Sequence, residues 1–153
     1  MLTAMRRHSY AGACHCHNLS VRLESDKPPS ELPLRTDTCS FCNKHHAVYT
    51  SDPEGEAHFV ARDANLVERY RFGTRTADFL ICKSCGVFVA AYMPEPPLAV
   101  INVNVLDARG EFLKNELVVT NLDAETVDQR LARRSARWTK VASFVVSSGA
   151  NPP

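Results

Sequence analysis

The sequence predicts a mainly β domain with one helix near its C-terminus, stapled by bound zinc. Three observations carry that reading. Short runs alternate apolar and polar residues with the period of two that a half-buried strand requires. Clusters rich in Gly, Pro and Asp separate those runs. All six cysteines fall into close pairs, at 14/16, 39/42 and 82/85, and short paired spacings read as metal ligands.

Residues 1–9 are expected to form a lead-in, and Tyr10 to Cys14 a short strand. Leu19, Val21 and Leu23 then alternate with Ser20, Arg22 and Glu24. A second strand therefore follows, and Cys14-His15-Cys16-His17-Asn18 becomes a hairpin tip. In extended chain a C-x-C spacing sends both side chains to one side, where two sulfurs can share a metal. Prolines 28, 29 and 33 make a loop of residues 26–33, and Leu34 to Cys39 reads as extended. Ser51 to Glu56 is a turn cluster. His58 to Ala61 and Leu66 to Phe72 read as strands, Gly73-Thr74-Arg75 turns the chain, and Thr76 to Cys82 returns. Cys82-Lys83-Ser84-Cys85-Gly86 is a tight turn that aims two sulfurs at one point, with Gly86 free to take the positive φ such a turn needs. Val87 to Tyr92 continues as a strand. Pro94, Pro96 and Pro97 interrupt it, Leu98 to Leu106 is β-rich, Asp107 to Gly110 turns, and Leu117 to Thr120 adds a short strand.

Residues 121–137 change character. Asn121 or Asp123 can cap a helix, and Glu125 suits its first turn. Arg130, Arg133, Arg134 and Arg137 gather towards its end, where cations complement the helix dipole. A basic helix invites a nucleic-acid or membrane reading; the simpler reading, a solvated face of a terminal helix, is preferred. Residues 147–153 read as a frayed tail.

A length of 153 residues suits a single domain. With 44% hydrophobic and 23% charged residues the composition is that of an ordinary globular protein. The formal net charge of +1 provides no field to recruit nucleic acid, so that partner is not expected. No apolar run approaches the roughly 20 residues that span a bilayer. Arg6 and Arg7 precede no apolar stretch, which predicts no signal peptide and a reducing, cytoplasmic setting in which disulfides are disfavoured. Exposed strand edges in a β fold leave room for a homodimer.

Zn²⁺ takes four ligands in a tetrahedron, with sulfur at about 2.3 Å. The cysteine pairs allow three choices of a four-sulfur site, and each leaves one pair over. A closed four-sulfur site is a structural staple. The pair left over is where chemistry would reside, because three protein ligands leave one position for water or substrate. If that pair is Cys39 and Cys42, then Asp37, His45 and His46 are the neighbouring residues able to complete a site.

The order C-x-C, then a cluster around C-x-x-C, then C-x-x-C-Gly resembles the glutathione-dependent formaldehyde-activating family, which includes centromere protein V. The residues that carry the resemblance are Gly12-Ala13-Cys14-His15-Cys16, Cys39-Ser40-Phe41-Cys42 and Phe79-Leu80-Ile81-Cys82-Lys83-Ser84-Cys85-Gly86, with Val103 to Asp107 similar to a late strand and turn. It spans residues 10–110, leaving 111–153 as a C-terminal extension with one helix packed on the same domain. The resemblance implies a β-tent of several coiled antiparallel sheets. It also implies a structural zinc on Cys14, Cys16, Cys82 and Cys85. The family's second motif, C-x-C-x-x-C, holds a catalytic zinc; Cys39 and Cys42 match its last two positions, and Asp37 stands in the first. An Arg usually follows the last cysteine, where this chain has Asn43.

Asp for Cys keeps the formal charge of the site and exchanges a soft ligand for a harder one, so zinc affinity should fall. Either Asp37, Cys39 and Cys42 still hold a labile zinc, or His45 or His46 swings in. The implied activity is that of a carbon–sulfur lyase acting on adducts of a thiol such as glutathione with a formaldehyde-like aldehyde. Lys44, Arg62 and Arg75 are the basic residues available to an anionic thiol. Two alternatives stand beside it: a catalytically inactive, zinc-stapled binding module on the same fold, and a nucleic-acid-associated protein working through the arginine-rich helix.

Overall fold

The computed structural model describes residues 8–146; residues 1–7 and 147–153, and with them most of the expected lead-in and the expected tail, lie outside the described residues. In chain order the elements are β1 (His8–Ala13), β2 (Leu19–Ser25), β3 (Leu34–Asp37), α1 (Ser40–His45), β4 (Tyr49–Thr50), β5 (Glu56–Ala61), β6 (Val67–Tyr70), β7 (Asp78–Cys82), β8 (Phe88–Pro94), β9 (Pro97–Asn102), α2 (Arg109–Phe112), β10 (Leu117–Thr120), α3 (Val127–Arg137) and β11 (Thr139–Val146). The protein is mainly β, with its longest helix near the C-terminus, as the sequence predicts.

The eleven strands connect into one mixed sheet. Most pairings are antiparallel, but β3 with β10 and β5 with β11 are parallel. The sheet is organised by β9, which pairs from Pro97 to Ile101 with β8 on one edge. On its other edge Leu98 and Ala99 pair with β11, while Ile101 and Asn102 pair with β4. The sheet forks there. One arm runs β11-β5-β2-β1, the other β4-β3-β10. Buried on both faces, β8 and β9 read as continuous apolar runs. β2 keeps the predicted alternation, with Leu19, Val21 and Leu23 in the core.

Four local readings are corrected. Residues 8 and 9 belong to β1. The run Leu98 to Leu106 stops being a strand at Asn102, whose side chain accepts from the Asn104 N–H and turns the chain into a short 3-10 helix. α3 is capped by Thr126, not by Asn121 or Asp123. Asn121 instead accepts from the Asp123 N–H and closes a turn, while Thr126 and Gln129 form a reciprocal capping box. β11 has no counterpart in the sequence reading and occupies the middle of the sheet.

β1 closes against the loop after β9, where Gly12 bridges to Leu106 and the Asp107 N–H donates to the Ala11 carbonyl at 2.9 Å. A Cβ on Gly12 would clash with the Val105 carbonyl and lie 2.9 Å from the Leu106 Cα. Only glycine permits this approach. No helix among the described residues is long and apolar enough to cross a membrane.

Gly12→Ala must push β1 off this loop. The expected loss is about 1–3 kcal/mol of stability, measured as a lower urea midpoint at unchanged m-value.

Candidate functional site

Two clusters of potential metal ligands form, and the fold builds them differently. The first joins two hairpin tips. Cys14 and Cys16 sit in the tip between β1 and β2. Cys82 ends β7, and Cys85 lies in the turn to β8, where the Gly86 N–H donates to the Cys82 carbonyl at 2.8 Å and Gly86 takes φ +81. The four sulfurs lie within 4.8 Å of one another, with Cys14 to Cys16 at 3.8 Å and Cys16 to Cys82 at 3.5 Å. All four cysteines are free of disulfides and could hold a metal ion. Backbone N–H groups of Leu19 and Cys85 point at Cys14 and Cys82. Burial pushes the Cys14 thiol up to about 12. Burial also opposes ionisation of Cys85, yet the N–H groups of Cys16 and Val87 outweigh it and bring that thiol to about 6.

The second cluster lies at the end of β3. Asp37 is the last residue of that strand, paired with Thr120 of β10. Cys39 is the N-cap of α1, its sulfur accepting from the Cys42 N–H at 3.3 Å. A cysteine is an unusual cap, so the sequence carries only a weak signal for this helix. The cap brings Cys42 back beside Cys39, with the sulfurs 3.2 Å apart, and the Asp37 carboxylate falls within 4.8 Å of both. Asp37 Oδ1 is buried without a hydrogen-bond partner. The Tyr49 hydroxyl lies 3.1 Å from Cys42 Sγ. Burial raises the Cys42 thiol to about 12 against the pull of that hydroxyl, and burial holds the Tyr49 phenol far above its usual range. Tyr49 therefore keeps its hydroxyl proton beside the sulfur.

His45 and His46 are not brought to this cluster. His45 packs its ring 4.4 Å from Phe41 and 5.5 Å from Phe88. His46 is the left-handed C-cap of α1, and its carbonyl accepts from Asn104. The sequence offered Asp37 and the two histidines as rivals for the third position; the backbone turn at Cys39 brings only Asp37 within reach.

A cavity of about 540 Å³ opens beside Asp37, Cys39 and Cys42. Its remaining wall holds Arg35 together with Arg130, Arg133, Arg134 and Arg137 of α3. The arginines of α3, read from sequence as a solvated face, thus line the cavity. Lys44, Arg62 and Arg75 are not among the lining residues. Glu125 compensates two of the five, meeting Arg133 through Nε and Nη2 at 2.8 and 3.1 Å and approaching Arg130 Nε at 3.2 Å. Arg134 is only 5% exposed, stacked with its Cζ 4.7 Å from the Trp138 ring centroid and bonded to Thr76 Oγ1 at 2.7 Å. Such a desolvated cation–π contact contributes up to about 2 kcal/mol. Burial lowers the guanidinium of Arg134 to about 10, with Arg130 and Arg133 adding repulsion. Ser51 accepts from Arg35 and donates to the Arg137 carbonyl at 2.7 Å, tying β4 to the end of α3.

A metal held by the four-cysteine cluster would join residues far apart in sequence, and such an ion would contribute about 10 kcal/mol or more of folding free energy. Stripping it with a strong chelator is expected to lower the melting temperature by more than about 10 °C, followed by circular dichroism, with recovery on adding the ion back. Cys82→Ser should show the low melting temperature before any chelator is added.

No family model matches the chain, and no curated protein matches it. A solved structure does: the crystal structure of a Rhodobacter sphaeroides protein, a structural-genomics target, aligns with a TM-score of 0.56 and 26% identity over 72% of this chain and 99% of that one. That protein is described by its source alone, so the chain shares its architecture with a protein of unstated activity.

Proposed function

We propose that the protein is a zinc-dependent carbon–sulfur lyase acting on adducts of a small thiol, such as glutathione, with an aldehyde such as formaldehyde. The observation that carries this reading is a three-donor cluster, Asp37, Cys39 and Cys42, beside a cavity large enough for a small molecule. Cys14, Cys16, Cys82 and Cys85 would hold a second, structural zinc. Their sulfur separations of 3.8 and 3.5 Å compare with an edge of about 3.8 Å for a tetrahedron of sulfurs at about 2.3 Å from the ion. Six free thiols suit a reducing compartment such as the cytoplasm.

The residues of the second cluster fit a zinc ion. The buried Asp37 Oδ1 lacks a hydrogen-bond partner among the described residues, and an unpaired buried carboxylate oxygen is expensive; a cation would satisfy it. Cys39 and Cys42 supply two soft ligands. The Tyr49 hydroxyl steadies the Cys42 sulfur and tempers its charge. A zinc ion held there supplies a Lewis-acidic position at which a thiol ionises near neutral pH. In the reaction the sulfur bonds to the carbonyl carbon, the C=O π pair moves to oxygen, and the thiol proton ends on that oxygen. Nothing is oxidised or reduced, and the reverse reaction breaks the same carbon–sulfur bond.

Elemental analysis of the purified protein and of Asp37→Ala tests this reading. Two zincs per chain are expected in the first and close to one in the second, with turnover of the glutathione–formaldehyde adduct at least about 100-fold lower in the variant. One zinc in both proteins and no turnover in either would overturn the lyase and leave a zinc-stapled binding module.

A further inference from the structure

The arginine wall of the cavity carries more positive charge than the chain neutralises. Of the five lining arginines, Arg130 and Arg133 share Glu125. Arg35 and Arg137 have no carboxylate partner among the described residues. Ser51 holds the Arg35 guanidinium and donates to the Arg137 backbone carbonyl, which fixes where the Arg137 side chain leaves the chain. Arg137 is exposed while Arg35 is half-buried, so one guanidinium stands in solvent and the other deeper in the wall. Arg134 supplies an independent sign. It is 5% exposed, lines the cavity, and its Nε has no hydrogen-bond partner. A buried guanidinium N–H without an acceptor is a donor waiting for one, and guanidinium donors match carboxylate and phosphate oxygens in a fork.

We propose that Arg35, Arg134 and Arg137 form an oxyanion-binding subsite that takes a carboxylate or phosphate group of the substrate and confines the reaction to anionic thiols. The statement about thiols rests on the lyase reading; the anion site does not, because it uses none of the metal-binding residues. The subsite lies largely on α3, beyond the part of the chain that carries the family resemblance. It would select ligands that bear an oxyanion and, for the lyase, a sulfur that reaches the Asp37 cluster lining the same cavity.

The chain's one tryptophan, Trp138, stacks on Arg134 and lines the same cavity, so its fluorescence reports occupancy without any turnover. The zinc-loaded protein is titrated with sodium phosphate, sodium succinate and, at matched ionic strength, sodium chloride. A saturable emission change with phosphate or succinate but not with chloride is expected, and the stronger of the two identifies the oxyanion. Arg137→Ala should weaken that binding at least tenfold, Arg137→Lys less, and Arg109→Ala, outside the cavity, not at all. Asp37→Ala should keep the anion response while losing turnover. No saturable response to either anion, or equal affinity in Arg137→Ala, overturns the subsite. A wild-type anion response with no turnover of any thiol adduct overturns the lyase reading alone. Turnover that accepts 2-mercaptoethanol as readily as glutathione overturns the selection of anionic thiols.

Discussion

The structure depends on a single strand edge being shared. β9 gives one edge to β8 and divides the other between β11 and β4. Two strands cannot lie flat in the same sheet beside the same neighbour, so the arms must diverge. The gap where they part holds backbone groups without strand partners, and buried backbone groups require hydrogen bonds. Side chains meet that demand. The Asp52 N–H donates to Thr139 Oγ1 at 2.7 Å, and Ser51 Oγ donates to the Arg137 carbonyl. These bonds fix the junction of α3 and β11 against β4. The positive wall of the cavity is therefore a consequence of how the sheet forks.

The same constraint explains which features were legible in the sequence. β2 and the turn at Cys82 to Gly86 announce themselves locally, one through its alternation and the other through residues that only a tight turn explains. The convergence of Cys14 and Cys16 with Cys82 and Cys85 follows once two such tips face one core. β11 was missed because its alternation follows directly on a helix, and its parallel pairing with β5 joins residues too distant for any turn to reveal. The cap of α3 is written plainly as Thr126-x-x-Gln129, although Asn121 and Asp123 upstream are the more common capping residue types. The arginines of α3 could not be oriented from sequence at all. A helix rotates freely about its axis on paper, and here Trp138 and the Ser51 bond set that rotation.

The two ligand clusters contrast in how their charge is managed. In the four-cysteine cluster, backbone N–H groups of Leu19 and Cys85 point at two of the sulfurs, while burial pushes the Cys14 thiol up. The Asp37 cluster has one N–H on Cys39, one hydroxyl on Cys42 and an unsatisfied carboxylate oxygen. Around an ion the first would be closed by four sulfurs, whereas the second, with three donors, would keep a position open. A site left incomplete by its own chain, opening on a cavity, is the arrangement expected of a place where a ligand is exchanged.

Charge balance links this cluster to the arginines that line the same cavity. Two thiolates and a carboxylate around a dication would sum to one negative charge. The guanidinium groups are only partly offset by Glu125. On the proposed reading, a ligand whose sulfur approaches the Asp37 cluster and whose oxyanion approaches the arginines relieves both imbalances. Neither end alone does so: a neutral thiol leaves Arg134 Nε without an acceptor, and a simple anion leaves the Asp37 cluster untouched. One cavity lined by both groups of residues thus argues for one ligand bearing both ends rather than two independent ones.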